Sequence, residues 1–248
     1  MAKEFVIAQR KRKVVYKDGD KAVKLFDDIY KKSSVLNEAL NQVRVEETGL
    51  KMAKLRSVEL IEGKWAIVSD YIAGKTLQQL MEENPDKIDD YLELFVNLQI
   101  EVYSKSSPLL INLKDKMNSK IENSDLDATI RYDLHSQLSG MPKHNKVCHG
   151  DFVPSNIIIN DEGEAYIIDW SHATQGNASA DVARTYMVLC LYYSEEIAVK
   201  YLNLYCKKTD TARQYVQKWM PIVAAAQLSK SSPKEKEFLL KWIDAVGY

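Results

Sequence analysis

The stretch His149-Gly150-Asp151-Phe152-Val153-Pro154-Ser155-Asn156-Ile157-Ile158-Ile159, followed by Tyr166-Ile167-Ile168-Asp169-Trp170, decides the fold. Short apolar runs that read as strands flank polar loop tips. An acid at 151, an amide five positions later at 156 and a second acid at 169, beyond a hairpin, sit on loops flanked by buried-looking strands. Strands hold loop tips rigidly, and catalysis needs that precision. An Asp, an Asn and a further Asp can divide the labour of phosphoryl transfer: one accepts a hydroxyl proton and two hold magnesium. So few ligands suffice, because magnesium keeps water and phosphate oxygens as its remaining ligands.

Upstream, the first seventy residues read as β-rich with one helix. Glu4 to Ala8 and Lys13 to Tyr16 are short apolar runs, and Lys17-Asp18-Gly19-Asp20 is a hairpin turn. Lys21 to Phe26 alternates, with Ala22, Lys24 and Phe26 on one face and Val23 and Leu25 on the other. Ser33-Ser34 opens a helix with Leu36, Leu40 and Val43 at helical spacing, and Gly49 closes it. Leu55 to Leu60 and Lys64 to Asp70 are strands joined by Glu62-Gly63. The order β-β-β-α-β-β implies one antiparallel sheet with one helix on it. After Gly74 the pattern turns helical: Thr76 to Glu83, Asp86 to Ser104, about Leu113 to Glu122 and about Asp127 to Leu138. A strand region from Val147 to Trp170 follows, and helices resume near Ala180.

Composition sets the outer limits. In 248 residues, 34 basic side chains face 35 acidic ones, for a net charge of −1, which argues against a coat for nucleic acid or an anionic membrane. The 46% hydrophobic and 28% charged content supplies a real core rather than a disordered chain. Cys148, Cys190 and Cys206 are too few and scattered for a disulfide framework or a metal knuckle. No run approaches the roughly 20 apolar residues of a membrane span. The expectation is a soluble, cytoplasmic protein.

On these residues the chain resembles the aminoglycoside phosphotransferase and choline kinase-like family, the small-molecule branch of the protein kinase-like fold. His-Gly-Asp with Asn five positions after the Asp stands at His149, Gly150, Asp151 and Asn156, and Ile168-Asp169-Trp170 matches the metal-binding motif. The resemblance implies that Asp151 is the catalytic base, that Asn156 and Asp169 bind Mg2+, and that His149 supports the loop. Ala22-Val23-Lys24 looks like the kinase strand whose lysine reaches the α- and β-phosphates of ATP or GTP. Of the carboxylates that could hold Lys24, Glu38 is favoured over Glu46 and Glu47, which lie close to the helix end. Ser69-Asp70-Tyr71-Ile72 looks like the hinge, with Ser69 as gatekeeper and backbone groups of Asp70 and Ile72 bonding an adenine edge.

The implied fold is α+β and kinase-like: a nucleotide-binding lobe over residues 1–69, a hinge over 70–75, and a catalytic and substrate-binding lobe over 76–248. The nucleotide is expected in the cleft between the lobes. Two departures stand out. The first hairpin tip, Gln9-Arg10-Lys11-Arg12-Lys13, lacks the glycine that usually lets backbone amides approach phosphate, and Val153 stands where the family often has His.

Other signals read more plainly. Gly74-Lys75-Thr76 imitates the end of a P-loop, but position 69 is Ser, and the segment reads as a loop glycine and a helix cap. The basic hairpin tip lacks the interleaved aromatics that stack bases, so no nucleic-acid partner is expected. Cys148 reads as a small buried apolar residue, and His172 as a possible substrate or phosphate contact. A helix is expected twelve residues after Asp169, which leaves little room for a peptide platform. The acceptor is thus a small molecule such as an aminoglycoside, choline, a sugar or another metabolite. A nucleotide-binding pseudokinase scaffold and a protein kinase are the alternatives.

Overall fold

The computed structural model describes residues 5–10, 12–228 and 231–244. Glu4 and Lys11, which figure in the expected first strand and hairpin tip, lie outside the described residues. The chain divides into two compact units, Met1–Pro85 with Pro154–Ala173, and Asp86–Val153 with Thr174–Tyr248. In chain order the elements begin β1 (Phe5–Arg10), β2 (Lys13–Asp18), β3 (Lys21–Phe26), α1 (Lys32–Glu46), β4 (Leu55–Ile61), β5 (Lys64–Asp70), β6 (Lys75–Thr76) and α2 (Leu77–Glu83). They continue with α3 (Ile88–Tyr103), α4 (Leu113–Glu122), α5 (Ala128–Gly140), β7 (Lys146–Cys148), β8 (Ile157–Ile159), β9 (Ala165–Ile167) and β10 (Thr174–Gly176). Five helices follow: α6 (Ala178–Tyr192), α7 (Glu195–Thr209), α8 (Arg213–Gln217), α9 (Met220–Leu228) and α10 (Pro233–Asp244).

In the first unit the five-stranded sheet runs β1-β2-β3-β5-β4, with every neighbouring pair antiparallel. The period-2 alternation of β3 divides its side chains between two cores. Val23 and Leu25 join Tyr16, Ala66 and Val68 on one face. Phe26 joins Ile67 and, from α1, Val35 and Ala39 on the other. Lys24 lies opposite Val15 on β2 and Ile67 on β5, so its parity assigns it to the helix-covered face.

The helix stripe expected from the sequence is corrected here. Val35, Ala39, Asn41 and Val45 are the buried residues of α1, while Leu36 and Leu40 are exposed. The helix is apolar on more than one side, and spacing alone does not say which side meets the sheet.

A second small sheet, β6-β8-β9, completes the first unit. Gly74 enters it at φ +146, and a Cβ there would stand 2.1 Å from the carbonyl oxygen of Ile159. Gly74 is therefore required by the backbone of β8. Thr76 caps α2 in a reciprocal capping box with Gln79.

The second unit is mainly helical, with β7 and β10 paired antiparallel. Phe95 of α3 packs on Phe152 at 4.8 Å between ring centroids and on Tyr201 of α7 at 5.6 Å. No helix among the described residues is long and apolar enough to cross a membrane.

Candidate active site

The first unit brings together three charged residues that are far apart in sequence. Lys24 Nζ lies 2.5 Å from Glu38 Oε1 on α1 and donates to Asp169 Oδ1 at 3.0 Å. The other oxygen of Glu38 accepts from Lys13 Nζ at 2.9 Å. Lys13 in turn lies over the rings of Phe26 and Tyr30, at 4.7 and 5.1 Å from the centroids. Burial pushes the Lys24 ammonium towards the neutral form, but the charges of Asp169 and Glu38 outweigh it and hold the pKa above the ordinary 10.5. Lys24 is thus a fixed cation at neutral pH. Glu46 is engaged elsewhere: its Oε2 accepts from the Leu55 backbone N–H at 3.1 Å.

Asp169 follows β9 with φ 61 and ψ 61, left-handed backbone that costs a non-glycine residue about 1–2 kcal/mol. Asp tolerates it better than most side chains. Neighbouring contacts hold the turn. Trp170 Nε1 donates to the Ile167 carbonyl at 3.1 Å, Ile168 N–H to the Asn156 carbonyl at 2.9 Å, and Asn41 Nδ2 to the Ser171 carbonyl at 3.4 Å. Asn156 itself is 4% exposed, at the end of the single turn Pro154–Asn156. A carboxylate and an amide carbonyl are hard oxygen donors and suit magnesium. Among the described residues no group of three or more His, Cys, Asp or Glu could hold a metal ion.

Ser69, Asp70 and Ile72, expected from the sequence to form a hinge, lie in the same unit. Ser69 Oγ accepts from Gln42 Nε2 at 2.9 Å, and the same amide reaches the Ala53 carbonyl at 2.8 Å. Asp70 closes β5; its N–H is taken by the Lys54 carbonyl, and its carboxylate accepts from Arg56 Nε at 2.6 Å. Ile72 follows in backbone that is neither strand nor helix.

The second unit holds His149, Gly150 and Asp151. His149 is buried, and its Nδ1 accepts from the Asp151 backbone N–H at 3.2 Å, bending the loop back on itself. Gly150 has φ 79, which suits a residue without Cβ. The decisive partner is one that the motifs do not name: Asp181 of α6. Its two oxygens accept the N–H groups of His149 and Gly150, each at 2.8 Å, and the Tyr103 hydroxyl at 3.3 Å. Burial pushes the Asp181 carboxyl above its ordinary value, although the neighbouring His149 ring and these donors pull the other way. The available signal was an acid inside an otherwise apolar helical run, since a buried charge needs partners. Cys148 is fully buried, and burial together with the Asp181 charge pushes its thiol well above the usual range, so it is a packing residue.

Residues 110–217 match the phosphotransferase enzyme family (APH) model. Against curated proteins the chain has no significant match. Among solved structures, a thermostable mutant of aminoglycoside phosphotransferase APH(4)-Ia, in ternary complex with AMP-PNP and hygromycin B, superposes with a TM-score of 0.72 at 13% identity, covering 98% of this chain and 92% of that one. Choline kinase LicA from Streptococcus pneumoniae gives 0.63 at 15% identity, over 99% and 95% of the two chains. A choline/ethanolamine kinase family protein from Mesorhizobium loti gives 0.59 at 13% identity, over 98% and 86%. The chain has the kinase-like fold of aminoglycoside phosphotransferases and choline kinases, and its 110–217 segment carries the signature of the phosphotransferase enzyme family.

Proposed function

We propose that this protein transfers the γ-phosphoryl group of ATP or GTP to a hydroxyl of a small molecule. The observation that carries the reading is the Lys24, Glu38 and Asp169 cluster: a strand lysine held between a helix carboxylate and a loop carboxylate. Lys24 pairs with nucleotide phosphates, and Glu38 keeps its flexible stem ordered beforehand, so less entropy is lost on binding. Asn156 and Asp169 are the magnesium ligands. When bound, the ion neutralises charge on the phosphate oxygens. Adenine is read by the backbone at Asp70 and Ile72; because the Asp70 N–H is already bonded to Lys54, its part falls to the carbonyl.

Asp151 orients and deprotonates the acceptor hydroxyl, and His149 shapes the loop that carries it. In a loose phosphoryl-transfer transition state, most of the gain is positioning and charge neutralisation. The match to the phosphotransferase enzyme family supports this reading. So does α6, which begins at Ala178, so soon after Asp169 that a peptide-seating platform has little room. The acceptor is a hydroxyl-bearing metabolite or antibiotic of the aminoglycoside, choline or sugar kind, met in the cytoplasm.

The test is a thermal melt with magnesium and nucleotide, followed by phosphate transfer to a panel of such acceptors. The expected result is a rise in Tm that needs nucleotide and grows with its concentration, by mass action, together with transfer to one acceptor class. A melt that ignores nucleotide and magnesium overturns the reading.

A further inference from the structure

One turn of α6 grips the loop that carries Asp151 through three side chains. Asp181, Arg184 and Thr185 are spaced i, i+3 and i+4, so they share a helix face. Asp181 takes the N–H groups of His149 and Gly150. Thr185 Oγ1 donates to the Phe152 carbonyl at 2.9 Å and accepts from the buried Gln99 Nε2 at 3.1 Å, and Gln99 Oε1 accepts from the Tyr201 hydroxyl at 2.6 Å. These contacts fix backbone. Arg184 fixes backbone and side chain together: its Nε donates to the Gly150 carbonyl at 3.3 Å, and an Nη2 proton goes to Asp151 Oδ1 at 3.2 Å. Both side chains of that pair are about four-fifths buried, at 23% and 21% exposure.

We infer that Arg184 is a positioning residue for Asp151, setting the direction of its carboxylate relative to the loop. The guanidinium is a rigid planar fork, so two donors that reach a carbonyl and the next residue's carboxylate lock the angle between them. A lysine has one flexible point charge and cannot hold both acceptors in one plane. Placement matters here because a group that orients a hydroxyl in a loose transition state contributes mainly through geometry. The inference rests on the phosphotransferase reading for what Asp151 does, but not for how it is held.

The test has two independent arms, with Arg184→Gln and Arg184→Lys compared with the wild type. In the first, nuclear magnetic resonance couplings between Hα and Hβ of Asp151 report its χ1 rotamer. The expected result is one rotamer in the wild type, averaging in Arg184→Gln and intermediate couplings in Arg184→Lys. In the second, turnover with the acceptor found by the panel, or slow hydrolysis of magnesium ATP, is measured against nucleotide concentration. The expected result is a kcat lowered by about 10–10²-fold in Arg184→Gln, partial recovery in Arg184→Lys, and an unchanged nucleotide KM. If Arg184→Gln does not fold, Arg184→Lys carries both arms. Unchanged Asp151 couplings, or a loss that lies in the nucleotide KM rather than in kcat, overturn the assignment. If the wild type turns over no acceptor and no ATP, the phosphotransferase reading fails while the couplings still decide the role of Arg184.

Discussion

Lys24 and Glu38 meet at 2.5 Å between Nζ and Oε1, and Asp169 Oδ1 stands 3.0 Å from the same nitrogen. One ammonium between two carboxylates leaves the cluster net negative until Lys13, 2.9 Å from the second oxygen of Glu38, is counted. With Lys13 included, two cations balance two anions in a partly buried place. Half-buried charge is tolerable only when it is paired in this way.

Removing Glu38 should therefore act through Lys24. On the phosphotransferase reading, Lys24→Ala lowers turnover and weakens nucleotide binding, and Glu38→Ala does the same more mildly. The double variant should lose less than the sum of the singles, with a coupling of about 0.5–3 kcal/mol, as for partners in one network. Glu46→Ala should leave turnover alone and cost about 1 kcal/mol of stability, because Glu46 bonds the Leu55 N–H. Exposed Glu47→Ala should match the wild type. Steady-state kinetics and urea melts across the five variants check this. Additive losses at Lys24 and Glu38 would show that the 2.5 Å contact does not matter to binding.

Gly74 gives a prediction about folding alone. A Cβ at this position collides with the Ile159 carbonyl, and φ +146 disfavours any L side chain. Gly74→Ala should destabilise by more than about 2 kcal/mol, within the range for strained backbone sites. Gly140→Ala at the end of α5 meets nothing within 4 Å and has no positive φ, so it should be neutral or stabilising by about 0.4–1 kcal/mol. Denaturant midpoints of the two variants decide; equal midpoints would mean that β8 yields freely.

Asp181 makes a pH-dependent contribution whose sign is fixed by burial. Its folded pKa is raised above the ordinary 3.8, so between those two values the folded state holds more proton than the unfolded one. The stability it contributes is greatest at the acid end and is lost as pH rises through the raised value. Asp181→Asn removes that slope. It also leaves one of the two loop N–H groups facing an NH2, at a cost of about 1–3 kcal/mol. The wild type should lead the variant most near pH 4, and the gap should narrow towards pH 7. Urea melts at the two pH values measure it; a gap that widens with pH contradicts the raised value.

Much of this was legible in the sequence, and what was missed has physical causes. The alternation of Lys21 to Phe26 set the parity of Lys24, and the structure places Lys24 and Glu38 in contact. Leu36 and Leu40 misled because α1 is apolar on several sides, and only the sheet chooses among them. In the sequence Asp181 reads only as a helix start and Arg184 takes no role, because an acid in the first turn of a helix and an arginine one turn on look like ordinary capping and surface charge. Their meaning lies in pairing with a loop some thirty residues earlier in the chain, which local periodicity cannot display. Asp169 in left-handed backbone was equally invisible, since Asp adopts that region without a glycine to announce it.

On the phosphotransferase reading, Asp151 and Asp169 should separate by what they lose. Asp151→Asn keeps a carbonyl oxygen that can still accept from Arg184, so the loop should retain its shape. Nucleotide binding should persist, while turnover should fall by about 10²–10⁴, as on losing a general base. Asp169→Asn keeps the tolerance for left-handed backbone but removes one of the two carboxylates beside Lys24. Magnesium-dependent nucleotide affinity should fall, and so should turnover. Asp169→Ala adds a backbone penalty of about 1–2 kcal/mol, so it should melt below Asp169→Asn. That difference isolates the role of the turn from the role of the charge. Calorimetric titration of nucleotide with and without magnesium, with melts of all three variants, distinguishes these effects. Equal loss of nucleotide affinity in Asp151→Asn and Asp169→Asn would mean that the two acids do not divide the work between acceptor and metal. Equal melts for Asp169→Asn and Asp169→Ala would mean that the left-handed turn costs the native state nothing.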